Sequence, residues 1–317
     1  MKVIEHLRKA TGTLLSFEIL PPLKGKDIRS IYEGIEPLME FKPSFINVTY
    51  HREEVIYKER GQGLLQKIRL RKRPGTVSIC ATIKIKYDVD TVPHLICGGF
   101  SREDTEDALI ELNFLGIDNV LALRGDAIKT ENHFVPERDG HAHAVDLIHQ
   151  IKALNKGKYL HDEEQEASPT DLCIGAACYP EKHPEALNLD VDIAYLKHKV
   201  DAGAEYLVTQ MFFDNARYFD FVDRCRAEGI TVPIIPGLKP LTSLKQIGFI
   251  PKTFRVDLPL ALSRELMKCQ RDADVQAVGI EWCTTQAREL KDRKAPGLHF
   301  YTMGRSEAVK AVAAQVF

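Results

Sequence analysis

The chain has 317 residues, 44% of them hydrophobic, with 43 basic side chains set against 45 acidic ones. A balance this close excludes a global field for nucleic acid or an anionic membrane, and no run of 18 apolar residues offers a transmembrane helix. Lys2, Glu5, His6, Arg8 and Lys9 stand where a signal peptide needs an apolar core, and the seven cysteines form no Cys-x-x-Cys pair, so a cytoplasmic protein with reduced thiols is expected.

Residues 14–20 form a short apolar run interrupted by Ser16 and Glu18 and stopped by Pro21 and Pro22, which reads as the first strand. Helical periodicity follows over 28–41, and 44–50 is a second strand rich in β-branched and aromatic residues. A basic helix is expected over 58–71 and a third strand over 77–83, which would leave His94 in the loop behind that strand. The next helix, 102–115, opens behind Ser101, with Asp104 completing an imperfect capping box.

Residues 119–126 read Asn-Val-Leu-Ala-Leu-Arg-Gly-Asp, a buried parallel strand that ends in a glycine turn bracketed by Arg124 and Asp126. A polar loop, a helix over 144–154 and a hydrophilic surface insertion over 155–170 come next. Strands are then expected at 172–179, 206–213, 232–238 and 298–303, with helices at 191–202, 218–227, 258–294 and 307–316.

Eight strands alternating with helices in about 300 residues fit one closed (β/α)8 TIM barrel, a single α/β domain over 1–317. An open dinucleotide-binding sheet needs a Gly-x-Gly-x-x-Gly turn after its first strand, where this chain has Pro21-Pro22. Gly61 and Gly63 are followed by Leu64-Leu65 and do not complete that pattern, and there is no P-loop.

In such a barrel the site lies at the carboxyl ends of the strands. That rule nominates Glu18, Thr49, Tyr50, Arg124, Asp126, Tyr179, Thr209, Gln210, Tyr301 and Arg305, with His94, Glu181, His183 and Glu185 in adjoining loops. Glu18, flanked by Phe17, Ile19 and Leu20, sits in an apolar setting that raises a carboxyl pKa towards neutrality and suits a general acid. The competing reading is an alternating strand whose Glu18 faces a polar layer. His183 lacks a second nearby His or Cys, and His141 and His143 are equally weak as a metal pair, so no metal is expected. Asp192, Tyr195 and Lys199 recur at helical spacing, a row that is more often a solvated face than a site.

The runs 17–22 (Phe-Glu-Ile-Leu-Pro-Pro), 47–50 (Asn-Val-Thr-Tyr), 93–95, 121–126, 179–186, 209–214, 235–237 and 299–301 occur in the order seen in the methylenetetrahydrofolate reductase family, which the chain resembles over nearly its whole length. The resemblance implies a (β/α)8 barrel that binds FAD without a Rossmann domain, takes electrons from NADH or NADPH, and reduces methylene folate to methyl folate for methionine synthesis. By the same resemblance Glu18 is the general acid and Asp126 the carboxylate beside flavin and folate. It further implies flavin contacts at Thr49, His94, Leu123, Arg124, Gly125, Asp126, Ala144, Tyr179, His183, Asp192 and Lys199. Substrate contacts are implied at Glu18, Asp126, Gln210, Tyr301 and Arg305. Two positions depart from relatives: His143 stands where a tyrosine can occur, and 249–250 read Phe-Ile where some place a phenylalanine over the substrate. The expected partners are small molecules and further copies of the chain, and no regulatory domain sensing S-adenosylmethionine is expected behind the barrel. Two other readings are a proline dehydrogenase-like flavin barrel and a folate- or flavin-binding barrel without catalysis.

Overall fold

A computed structural model describes residues 1–128, 131–161 and 167–317. Helix α1 (Val3–Lys9) precedes strand β1 (Leu14–Ile19), α2 (Arg29–Met39), β2 (Phe45–Val48), β3 (Glu54–Glu59), β4 (Leu65–Leu70), α3 (Thr76–Tyr87) and β5 (Asp90–Ile96). There follow α4 (Arg102–Phe114), β6 (Asn119–Leu123), α5 (Ala144–Leu154), β7 (Cys173–Cys178), α6 (Leu189–Ala202), β8 (Tyr206–Met211), α7 (Asn215–Ala227) and β9 (Ile234–Leu238). The last elements are α8 (Leu244–Phe254), α9 (Leu260–Leu266), α10 (Asp272–Asp292), β10 (Gly297–Tyr301) and α11 (Glu307–Val316).

Among the described residues β1, β2, β5, β6, β7, β8, β9 and β10 close into a parallel barrel in that lateral order, with β10 returning to β1. The expected (β/α)8 architecture is therefore what the chain adopts. Alternate residues of each strand point to opposite faces, so the barrel has two cores. Inside, Phe45, Val92, Leu121, Cys173, Tyr206, Val208 and Ile235 pack together, and Val3 and Ile4 of α1 close the end away from the site. Outside, Leu15, Phe17 and Ile19 of β1 face Ile31, Ile35 and Leu38 of α2, whose spacing of four and three residues makes one helical stripe. Gly175 makes room for Tyr206 across the interior: a Cβ there would lie 2.3 Å from the phenol ring.

Local signals set the ends of several elements. Ser101 Oγ accepts from the Asp104 amide at 3.1 Å while Asp104 Oδ2 accepts from the Ser101 amide at 2.9 Å, which completes the capping box of α4. Asn188 caps α6 through the Val191 amide, and Gly203, at φ +125°, ends it.

Three expectations are corrected. The stretch expected as a basic helix is an antiparallel hairpin of β3 and β4, because Gly61, Gln62 and Gly63 all take positive φ and turn the chain. Residues 77–83 lie in α3, not in a strand: Ile79, Cys80 and Ile83 share a buried helical face while Ile85 is 82% exposed. The barrel strand is instead β5, which contains Pro93 and His94; proline disfavours a central strand, and its presence masked this one. His94 is thus a strand residue rather than a loop residue. In addition, the helical stretch from 258 divides into α9 and α10, and α8 comes before it. The acidic middle of the 155–170 insertion, Asp162, Glu163, Glu164 and Glu166, lies outside the described residues; its flanks are mostly exposed.

Candidate active site

The carboxyl ends of β1, β2, β5 and β10 bring four polar side chains to the barrel mouth. Glu18 is one residue from the end of β1, its register partners are Asn47 and Tyr301, and its carbonyl accepts from Thr302 Oγ1 at 2.7 Å. Its side chain keeps only 14% of its surface exposed, and Oε2 lies 3.9 Å from His94 Nε2. Burial pushes the Glu18 carboxyl up to about 8, against a smaller downward pull from the charge of Lys239. Burial pushes the His94 imidazole down to about 3, with His51 adding to the fall. At neutral pH the pair is therefore a protonated carboxylic acid beside a neutral ring, not an ion pair.

Asn47 Nδ2 stands 3.2 Å from His94 Nε2, while Asn47 Oδ1 is buried without a hydrogen-bond partner. An orphaned buried acceptor is costly, and this one lies beside the Glu18 and His94 pair. Tyr301 reaches across β9 to donate to the Thr209 carbonyl at 2.5 Å. That crossing passes directly over Gly237, where a Cβ would lie 2.5 Å from the tyrosine ring.

A second group gathers at the ends of β6 and β7. Gly125 turns at φ +84°, and Ile96 packs 3.3 Å from the place a Cβ would take, so the turn needs a glycine on both counts. Arg124 is bidentate to Glu185 at 2.6 and 2.7 Å, and its guanidinium lies 5.1 Å from the Phe134 ring centroid. Asp126 is exposed and makes no hydrogen bond or ion pair among the described residues, although its charge reaches Tyr179 and His51. Tyr179 stacks edge-on against His183 at 4.8 Å, and burial holds its phenol far above its usual range.

Helix α6 supplies the back of this group. Asp192 Oδ2 accepts from the His183 amide at 2.8 Å, and Lys199 Nζ donates to the Ala177 carbonyl of β7 at 2.8 Å. Burial lowers the pKa of both His183 and Lys199. Of the row read from the sequence, Asp192 and Lys199, two turns apart, face the barrel. Tyr195 is 61% exposed and does not.

The remaining candidates are spread around the rim. Thr49 follows β2 and donates to the Ile19 carbonyl at 3.3 Å, and Ala144 is the first residue of α5, behind the exposed cap His143. Gln210 Oε1 accepts from the Met211 amide at 2.9 Å beside an irregularity in the β8–β9 pairing. Arg305 is exposed beyond β10. Ile250 is fully buried, and Phe249 is exposed with its ring edge-on to Phe254. His141 is buried against Gln150, and the described residues hold no cluster of His, Cys, Asp and Glu suited to a metal ion. Sequence reasoning missed Asn47 and Lys239. An asparagine between Ile46 and Val48 was a usable signal, whereas a lysine before a proline, as at Lys239-Pro240, carries none.

Comparison with known proteins agrees with this geometry. A profile described as methylenetetrahydrofolate reductase matches residues 2–316. The 5,10-methylenetetrahydrofolate reductase of Salmonella typhimurium is 30% identical over 97% of this chain and 92% of its own length. Methylenetetrahydrofolate reductase (NADH) 1 of Arabidopsis thaliana is 31% identical over 96% of this chain, which spans about half, 48%, of that plant protein. Among solved structures, an uncharacterized Clostridium thermocellum protein that binds two copies of 5-methyl-5,6,7,8-tetrahydrofolic acid superposes with a TM-score of 0.60 at 16% identity, covering 98% of this chain and 96% of that one, a likeness of fold. On the strength of the full-length profile match and the bacterial relative, the chain belongs to the methylenetetrahydrofolate reductase family.

Proposed function

We propose that this barrel reduces 5,10-methylenetetrahydrofolate to 5-methyltetrahydrofolate with NADH or NADPH as donor and FAD as cofactor. One observation carries the reading: Glu18, a carboxyl that burial pushes up to about 8, stands at the mouth beside His94 in a family whose reaction needs an acid. The residues suit the flavin as well. Arg124, His183 and Lys199 supply donors at the ends of β6 and β7. Thr49, His94, Leu123, Ala144, Tyr179 and Asp192 complete the set that would hold it.

FAD, when bound, carries hydride from the nicotinamide to the folate; the barrel supplies orientation and electrostatics. Glu18 gives its proton to the folate nitrogen that departs when the five-membered ring opens. His94, pushed down to about 3 by burial, is too weak a base to take that proton from Glu18. Gln210, Tyr301 and Arg305 line the approach to it.

All seven cysteines are unpaired, which supports a reducing, cytoplasmic setting. No helix among the described residues is long and apolar enough to cross a membrane. The test is a spectrum of the purified protein followed by anaerobic NADH, then NADPH, then methylene folate. Flavin bleaching by nicotinamide and recovery on folate is the expected result. Binding without electron transfer would leave an inactive barrel, and recovery on an imino acid instead of folate would point to the proline dehydrogenase-like reading.

Asp126→Asn should raise the midpoint potential of the bound flavin. A nearby negative charge disfavours added electrons, and the substitution removes it without changing shape. At an effective dielectric of about 20, with about 30 mV per 1.4 kcal/mol for two electrons, the rise should be on the order of tens of millivolts. A redox titration of both proteins at one pH and one salt concentration reads it. An unchanged or lower potential would place Asp126 away from the flavin.

A further inference from the structure

Lys239 follows the last residue of β9 and is 4% exposed. Its one hydrogen bond among the described residues goes to the Pro240 carbonyl, at 3.0 Å, and it has no ion pair there. A buried ammonium without a carboxylate in contact is rarely tolerated without a reason.

Strand register supplies one. Glu18 pairs with Tyr301 across β1 and β10, and Phe300 pairs with Leu238 across β10 and β9. The next residues on those last two strands are Tyr301 and Lys239. Glu18, Tyr301 and Lys239 therefore form one lateral row around the barrel. The preceding row, Phe17, Phe300 and Leu238, is buried together in the outer core. Because side chains alternate along a strand, the row that follows turns towards the mouth.

We propose that Lys239 is a positioning residue for the acid: its buried ammonium is the counter-charge that Glu18 meets when it gives up its proton to the folate. The proposal rests on the reading of Glu18 as that acid. Proton transfer turns a neutral carboxyl into a carboxylate in a site with little water, and the fixed cation at the end of β9 stabilises that product. Lys239 stays charged while Glu18 ionises, and no proton passes through it.

The surroundings leave Lys239 as the charge that matters. Glu18 is faced by His94 from β5, Tyr301 from β10 and Lys239 from β9. His94 is neutral, and burial raises the Tyr301 phenol well above its usual range. Lys239 is faced by Cys283 of α10 and by Arg305. Burial pushes the Cys283 thiol up to about 12, so it carries no charge near neutrality, and Arg305 is exposed and screened by solvent. Burial lowers Lys239 itself to about 8, which keeps it charged over most of the neutral range.

The test compares wild type with Lys239→Met and Lys239→Arg. The carboxylic acid C=O infrared band present in wild type and absent from Glu18→Gln is followed through a pH titration, and the two half-reactions are timed separately. In Lys239→Met the Glu18 titration should move up by about one pH unit or more, the size expected for loss of a nearby opposite charge. Folate reduction should slow several-fold while flavin reduction by nicotinamide holds. Lys239→Arg, which keeps the charge, should stay near wild type on both readouts. If Lys239→Met does not fold, Lys239→Gln takes its place. An unmoved titration in the neutral variant overturns the proposal, as does an arginine variant shifted as far as the methionine one. A shifted titration with unaltered folate reduction supports the counter-charge and overturns only the role of Glu18 as the acid.

Discussion

Glu18→Gln should slow reduction of the folate by about 10²–10⁴-fold, the usual worth of general acid catalysis, and leave flavin reduction by nicotinamide nearly intact. The amide fills the same space but cannot give a proton to the departing nitrogen, whereas the nicotinamide step needs no acid. Rapid-mixing absorbance of the flavin measures the two steps apart. Equal losses in both would assign Glu18 a structural role. In wild type the folate step should also fall as pH rises through about 8, where the carboxyl ionises.

The same substitution has a stability signature. Folded Glu18 binds its proton more tightly than the unfolded chain does, because its value of about 8 lies above the ordinary 4.5. Between those two values the native state holds more protons, so this group makes stability decline as pH rises, and the decline levels off above the folded value. Glu18→Gln has no such proton and should lack that part of the decline. Urea unfolding of both proteins at a series of pH values shows it as a gap that opens from mildly acidic to mildly alkaline pH in favour of the variant. Parallel curves would mean that Glu18 is not held neutral by its surroundings.

Gly237→Ala should damage both the fold and the acid site, although glycine's conformational freedom plays no part there. The added methyl would lie 2.4 Å from the Thr209 carbonyl and 2.5 Å from the Tyr301 ring. The first is backbone of a paired strand, and the Gly237 amide donates to Thr209 Oγ1 at 2.8 Å, so neither strand gives way freely. Overpacking of this kind costs about 1–3 kcal/mol. Tyr301 is the part that can move, and moving it breaks its bond to Thr209 and shifts the neighbour of Glu18. A lowered melting temperature with slower folate reduction is the expected pair of results. Wild-type values for both would show that the mouth has slack between β8, β9 and β10.

The candidate site was legible in the sequence wherever one strand end carried its own chemistry. Glu18 between apolar neighbours, the Arg-Gly-Asp turn after β6 and the Tyr179 to His183 stretch after β7 were each found from local pattern, and all three lie at the carboxyl ends of barrel strands. Helix α11 was read with its ends in place because its apolar stripe repeats over its full length. Local pattern failed where pairing or crowding outweighed it. Val77, Ile79 and Ile83 are strand formers by composition, yet helix α3 buries them in part because the barrel position is taken by β5, despite Pro93. The hairpin of β3 and β4 was hidden by its many basic residues, which disguised the turn glycines between its two runs. Sequence alone thus determined the order of most elements and the chemistry at their ends, because hydrophobic period and charge are local properties. That Asn47 meets His94, that Tyr301 crosses Gly237, and that Lys239 shares a row with Glu18 were decided only by the register of strands far apart in the chain, which no local period encodes.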